Sequence, residues 1–106
     1  MRITVSHDRP KEELKRAVDR SLDDLFRGIV VLPVQLLEQR KNWEGDRLAF
    51  SFVAKMALVS TPIKGVVDIS DRDITIEVDL GVWERLIPAA KVREAVTQRI
   101  RGLLKQ

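Results

Sequence analysis

The chain has 106 residues, of which 44% are hydrophobic and 33% charged. This balance predicts one globular domain over residues 1–106 and argues against a disordered chain. There is no cysteine and only one histidine. These counts exclude disulfides, thiolate metal ligands, cysteine nucleophiles and multi-histidine metal sites.

The net charge of +3 predicts at most weak attraction to polyanions. No apolar stretch approaches the roughly 18 residues that a membrane-spanning helix requires. The first ten residues also lack the long apolar core that is typical of a signal peptide. We therefore expect a cytoplasmic protein without a transmembrane segment.

The first part of the chain predicts a short strand followed by an amphipathic helix. Arg2–Ser6 places Ile3 and Val5 on one face of a strand. Residues 10–27 then carry apolar side chains at spacings of three and four, which predicts a helix with one buried face. Pro10 suits the first helical position, and Gly28 suits the left-handed position that ends a helix.

The central residues predict an antiparallel meander. Residues 34–41 and 47–59 form a hairpin, because residues 42–46 contain Asn, Gly and Asp, which favour turns. Further turns are expected at residues 60–62 and 70–73. The last strand alternates most clearly: Ile74, Ile76, Val78 and Leu80 point to one face, and Thr75, Glu77 and Asp79 to the other.

The strand at residues 47–59 is apolar on both faces. Its bulky face carries Leu48, Phe50, Phe52, Ala54, Met56 and Leu58. Its second face carries the smaller residues Ala49, Ser51, Val53, Ala57 and Val59, interrupted by Lys55. We favour a central strand whose small residues lie beneath neighbouring side chains; the alternative is a partner contact or a homodimer contact on that face.

A second amphipathic helix begins near Pro88, with apolar residues at helical spacing: Val92, Ala95, Val96, Ile100 and Leu103. The element order is therefore β-α-β-β-β-β-α. Two such helices can cover one face of an antiparallel sheet, which gives a two-layer α+β domain. We expect a helix-grip-like arrangement, in which a curved sheet holds the C-terminal helix and can leave a small apolar cavity beneath it.

The sequence contains no constellation that predicts catalysis. Asp23 and Asp24 belong to a solvated helix surface, and Asp71 and Asp73 flank a turn. His7 precedes a helix start with no Ser–His–acid or metal-ligand spacing, which favours a surface or capping role. We expect no catalytic residue, no metal site, no cofactor and no enzymatic activity.

Two groups of residues are candidates for contact with a partner. Val82, Trp83, Leu86 and Ile87 lie between the last strand and the second helix. They either close one end of the core, which we favour, or form an exposed apolar patch. The second group is basic and lies on the second helix: Lys91, Arg93, Arg99 and Arg101. Nucleic-acid binding is disfavoured because only five residues are aromatic and none forms a stacking motif.

Four segments resemble a known family: MRITVSHDRPKEELKRAVDRSLDDLFRG, VSTPIKG, ITIEVDLG and ERLIPAAKVREAVTQRIRGLL. Together they are similar to the polyhydroxyalkanoic acid system family of small bacterial proteins, in the same order over nearly the whole chain. The resemblance implies a role in polyhydroxyalkanoate storage, with some members at the granule surface. It implies no enzymatic activity and supplies no binding-site residues.

The leading functional hypothesis is a non-enzymatic, granule-associated or regulatory protein of polyhydroxyalkanoate storage. Its partner would be the polymer, a hydroxyacyl ligand or a granule protein. The first alternative is a domain that binds a small apolar acyl ligand outside granules. The second is a weak nucleic-acid-binding regulator.

Overall fold

The computed structural model describes residues 1–22, 35–81, 85 and 88–105. The elements are β1 (Arg2–Ser6), α1 (Lys11–Arg20), β2 (Gln35–Glu44), β3 (Arg47–Met56), β4 (Val59–Ile69), β5 (Asp73–Asp79) and α2 (Ala89–Leu104). This order confirms the predicted β-α-β-β-β-β-α arrangement. The protein is an α+β domain.

The five strands form one antiparallel sheet in the order β1-β5-β4-β3-β2. Consecutive strands from β2 to β5 are neighbours, as short turns require. β1 pairs with β5 instead, which places the N-terminal strand beside the last strand, at the edge of the sheet opposite β2. The N-terminal amino group donates to Val78 O at 2.9 Å, and Val78 N donates to Met1 O at 2.9 Å. The start of the chain is thereby fixed to the last strand.

The core lies between the helices and one face of the sheet, which we call the inner face. Both helices bury their apolar stripes there: Leu14, Ala17 and Val18 from α1, and Val92, Val96, Ile100 and Leu103 from α2. The inner-face strand residues are nearly inaccessible and include Ile3, Leu48, Phe52, Ile63, Val67, Ile74 and Ile76. The predicted two-layer arrangement is confirmed.

The face assignment of the last strand is also confirmed. Ile74, Ile76 and Val78 are buried, whereas Glu77 and Asp79 are exposed. Glu77 lies opposite Arg2 on β1, and their side chains form an exposed ion pair at 3.4 Å. A slip of one residue would place that carboxylate in the core, so the alternation fixes the register between these strands.

The Phe50 side chain packs over Gly65, the one inner-face position of β4 that has no side chain. Phe50 pairs with Gly65, and a Cβ atom added to Gly65 would lie 2.5 Å from the Phe50 ring and 2.5 Å from Glu77 O. The Phe50 ring stacks on Phe52 with centroids 6.3 Å apart. Gly65 therefore provides the space in which this ring packs.

The first hairpin is confirmed, but its turn is shorter than predicted. β2 continues through Asn42 and Trp43 to Glu44, and only Gly45 and Asp46 form the turn. Gly45 adopts a φ of 59°, which suits glycine at the first central position of a two-residue hairpin turn. A bulge separates the pairs at Leu37 and Arg40, and Glu38 within it has a φ of 52°.

The predicted turn at residues 60–62 is wrong. Met56 pairs with Val59, so the turn consists of Ala57 and Leu58, and β4 runs straight through residues 60–62. Ala57 takes a φ of 55°, which is uncommon outside glycine and conceals the turn from composition rules. Pro62 is tolerated because β5 pairs only as far as Lys64, leaving β4 without that neighbour at Pro62.

Both helices begin one residue after the predicted position, since Pro10 and Pro88 precede the first helical residue. The first helix ends at Arg20 with Ser21 as its C-cap, so the predicted uninterrupted helix over residues 10–27 is wrong at Ser21. Residues 23–27 and the predicted stop at Gly28 lie outside the described residues. The opposite face of the sheet, the outer face, carries polar and small residues. On β3, Ala49 is exposed and Ser51 and Val53 are half-buried, and no described helix covers them.

The Phe50–Gly65 packing generates a stability prediction. Gly65→Ala should lower the free energy of unfolding by roughly 1–3 kcal/mol or more, because the new methyl group must displace backbone or an aromatic ring. Urea denaturation measures the change.

Gly102→Ala is the matched control. Nothing lies within 4 Å of a Cβ atom at this position in α2. Alanine has the higher helix propensity, so this variant should be more stable by up to about 1 kcal/mol. A Gly65→Ala protein as stable as the unsubstituted chain would contradict the packing described above.

Candidate functional site

The apolar contact candidates Val82, Trp83, Leu86 and Ile87 lie outside the described residues. Whether they close the core or form an exposed patch stays a prediction. The chain enters this stretch through Gly81, whose φ is 60° and whose amide donates to Asp79 Oδ1 at 2.9 Å.

The four basic candidates are all exposed on α2. The helix buries a stripe that contains Val92, Val96 and Ile100, and the charged residues occupy the rest of its circumference. Arg93 lies near the sheet, where its Nη1 donates to Arg2 O at 3.0 Å. Lys91 and Arg101 lie on a solvent-facing stripe, the i, i+3, i+4 set Lys91, Glu94, Gln98, Arg101 and Lys105.

Basic charge is concentrated on this helix. The helix itself contains four basic residues and one acidic residue, and Arg85 and Lys105 flank it. Residues 1–8 and 35–81, which form the sheet and its turns, contain seven basic and nine acidic residues. A net charge of only +3 therefore conceals a strongly basic helix beside a slightly acidic sheet, which the chain's total charge alone did not indicate.

A polar cluster joins α1 to the β2–β3 hairpin. Asp19 accepts hydrogen bonds from Lys41 Nζ at 2.8 Å and from Trp43 Nε1 at 3.0 Å. Lys15 Nζ lies 5.4 Å from the centre of the Trp43 ring and 3.6 Å from Asp46. The hydrogen bond from Lys41, and after it that from Trp43, lowers the pKa of Asp19. These contacts fasten the helix to the sheet, and sequence reasoning did not identify them.

Ion pairs of Lys11 also join α1 to the sheet. Lys11 Nζ lies 3.0 Å from Asp46 Oδ2 and 3.8 Å from Asp71 Oδ1. Its hydrogen bond to Asp46 raises the pKa of Lys11 and lowers that of Asp46. Asp71 thus takes part in a structural contact.

His7 connects the end of β1 to the β4–β5 turn. Its Nδ1 accepts from Arg9 N at 3.1 Å, which assigns the proton to Nε2, and Nε2 donates to Ser70 O at 2.7 Å. In the same turn, Ser70 Oγ accepts from Asp73 N at 2.9 Å. His7 therefore holds backbone, as the sequence analysis favoured, whereas in the turn the backbone is held by the Ser70 side chain, and the Asp73 carboxylate accepts from Ser6 Oγ at 3.4 Å.

The described depressions lie mainly on the outer face. The largest of these, about 540 Å³, is broad and open, and its walls include Arg2, Lys64, Glu77 and Asp79. Such a mixed-charge rim suits polar solvent better than an acyl chain. Within the described residues, no group of three or more acidic or histidine side chains could hold a metal ion.

One exposed apolar feature was missed by sequence reasoning. The alternation predicts Leu58 on the bulky face of a strand, but Leu58 lies in the β3–β4 turn with 99% of its surface exposed. Val59 is 50% exposed, and Met56 packs partly against the core. We call Met56, Leu58 and Val59 the apolar tip. The sequence feature that could have pointed to this exposed tip is the absence of any acidic residue from 47 to 67.

The Asp19 cluster predicts a pH-dependent contribution to stability. Because the folded state lowers the pKa of Asp19, the contribution is present above the ordinary aspartate pKa of about 3.9 and disappears as pH falls through the folded value. Asp19→Asn should therefore lower the urea midpoint at pH 7, and the difference from the unsubstituted chain should shrink towards about pH 3.

Glu94→Gln removes a carboxylate from the exposed stripe of α2 and serves as the control. It should leave the urea midpoint nearly unchanged across the same pH range. A difference for Asp19→Asn that is equally large at pH 7 and at about pH 3 would contradict the assigned role of the ionised carboxylate.

Comparisons with known proteins add no assignment. No protein-family model, curated protein or solved structure matches this chain. None of the described helices is both long enough and apolar enough to cross a membrane. The relation to the polyhydroxyalkanoic acid system family accordingly stays a prediction.

Proposed function

We propose that this chain is a non-enzymatic, cytoplasmic protein of bacterial polyhydroxyalkanoate storage that associates with the granule surface. The structural observation that supports this proposal is the basic face of α2. Lys91 and Arg101 point to solvent and have no side-chain ion pair within the described part of the chain. They are available to an anionic layer around a granule.

The binding free energy expected between the basic face of α2 and an anionic layer is small enough for reversible association. Each Lys or Arg close to an anionic surface contributes about 1 kcal/mol at physiological salt. A few residues on one helix stripe therefore give weak but measurable attraction, which salt screens within about 8 Å at physiological ionic strength.

A nucleic-acid-binding role would use the same basic face. However, recognition of single strands relies on exposed aromatic rings. Of the aromatic residues in the described part of the chain, Phe50 and Phe52 lie in the core, and Trp43 packs between Asp19 and Lys15. This arrangement favours contact with a surface over stacking with bases.

The test is quantitative sedimentation with polyester granules isolated from an accumulating host. Lys91→Glu combined with Arg101→Glu should weaken granule association about 30-fold or more, because two favourable contacts of about 1 kcal/mol each are lost and two repulsive charges replace them. Both positions are exposed, and Arg93 and Arg99 are left unchanged, so the helix keeps its contacts with the rest of the domain.

Arg40→Glu combined with Arg72→Glu is the matched control. It changes the net charge by the same amount at exposed positions on β2 and in the β4–β5 turn. This variant should sediment within about twofold of the unsubstituted chain, since its charges lie away from α2. Equal loss in both variants would reject the α2 face, and absence of the unsubstituted chain from the granule pellet would reject the proposed function.

A further inference from the structure

The apolar tip combines exposure with a backbone conformation that is costly to maintain. Leu58 is 99% exposed and therefore contributes almost nothing to the core. The preceding residue, Ala57, adopts a φ of 55°, although glycine or asparagine would occupy such a position with less strain. The turn thus presents a large aliphatic side chain where ordinary turn chemistry would place a polar one.

The tip extends beyond the end of β5, whereas β2 pairs with β3 as far as Lys55. The last register pair between β4 and β5 joins Lys64 to Asp79. From Lys64 to Leu58 the hairpin continues for six residues, or roughly 20 Å of strand. The two most exposed large apolar residues of the described chain, Leu58 and Val59, therefore lie at the end of the β3–β4 hairpin, beyond the last residues that β5 pairs with.

The charge within the β3–β4 hairpin near the tip is of one sign, and the acidic Glu38 lies on the neighbouring β2, beside Val53 and Pro62. Residues 47–67, which comprise β3, the turn and most of β4, contain Arg47, Lys55 and Lys64 but no acidic residue. A carboxylate near the tip would resist transfer out of water. Its absence makes this hairpin suited to an apolar phase that has an anionic layer above it.

A second copy of the chain is a poor occupant of the tip. Stable interfaces bury about 800 Å² on each partner, whereas the tip offers the side chains of two exposed residues, Leu58 and Val59. An apolar phase needs no complementary pocket, and it can accept a narrow projection. The size and shape of the tip favour a phase over a protein partner.

We propose that the apolar tip inserts Leu58 and Val59 into the polyester phase of the granule. This inference rests on the proposed granule association and identifies the part of the chain that enters the polymer. Met56 lies between the inserted residues and the core, so the tip remains attached to a rigid sheet. Basic residues on α2 contact the surface, and the tip supplies the apolar contact.

The first experiment uses neutral particles of amorphous poly(3-hydroxybutyrate) without an anionic layer, which isolates the apolar contact from the basic one. Leu58→Ser should weaken binding to these particles about 10- to 100-fold, the factor expected when one large aliphatic side chain no longer leaves water. Because Leu58 makes almost no contact in the free protein, its urea midpoint should not change.

Leu37→Ser is the matched control. Leu37 is 40% exposed and pairs with Val53, which lies three residues, or about 10 Å, behind Met56 on the outer face. It should remain outside a surface that a tip enters by about 5–10 Å. Its binding should stay within twofold of the unsubstituted chain; equal weakening by both substitutions would overturn the tip assignment.

The second experiment places a polarity-sensitive fluorophore on a single cysteine, which the cysteine-free chain permits. A label on Leu58→Cys should shift to the blue and become protected from an aqueous quencher when the particles are added. A label on Ala49→Cys, exposed on the outer face, should show neither change. A tip label that remains accessible to the quencher on bound protein would overturn the proposal.

Two further outcomes separate this inference from the proposed function. If the chain sediments with native granules and Leu58→Ser sediments equally well, the tip assignment is wrong and granule association stands. If the tip label shifts with neutral phosphatidylcholine vesicles but not with polyester particles, the tip binds lipid, and the polyester assignment is overturned. Loss of the α2 contact alone leaves binding to neutral particles intact.

Discussion

The packing of Phe50 over the bare backbone of Gly65 is the constraint on which the rest of the sheet depends. The Phe50 ring needs space on the inner face, and the pairing of β3 with β4 must place Gly65, which provides that space, opposite Phe50. Because side chains alternate along a strand, this single match also fixes which residues of both strands face the helices. Leu48 and Phe52 then meet Val67 and Ile63 within the core.

The buried alternation of β5 and the helical spacing of α2 made their elements predictable from sequence. Ile74 and Ile76 repeat every two residues, and Val92 and Val96 every four, so each pattern matches only one regular structure. The pairing of β1 with β5 was not predictable in this way. It depends on contacts between Met1 and Val78, which are distant in sequence.

The apolar tip shows where sequence reasoning fails for physical reasons. A hydrophobic residue in a strand-like run is ordinarily buried, and Leu58 continues the alternation of Phe52, Ala54 and Met56. The positive φ of Ala57 breaks that run without any glycine or proline to announce it. The Asp19–Trp43 contact was missed for a different reason, since surface hydrogen bonds between distant elements leave no periodic pattern.

The contacts at one end of the sheet bring part of the basic helix towards the end from which the tip projects. Arg93 of α2 donates to Arg2 O, and Arg2 pairs with Glu77 near the end of β5. Two residues after the end of β5, Gly81 lies beside Thr61 of β4, and a Cβ atom added to Gly81 would be 3.2 Å from Thr61 Cγ2. The first turns of α2 and the start of the β3–β4 projection therefore share one end of the domain. Under the proposed granule association, an anionic layer over an apolar phase would match both the basic helix and the aliphatic tip.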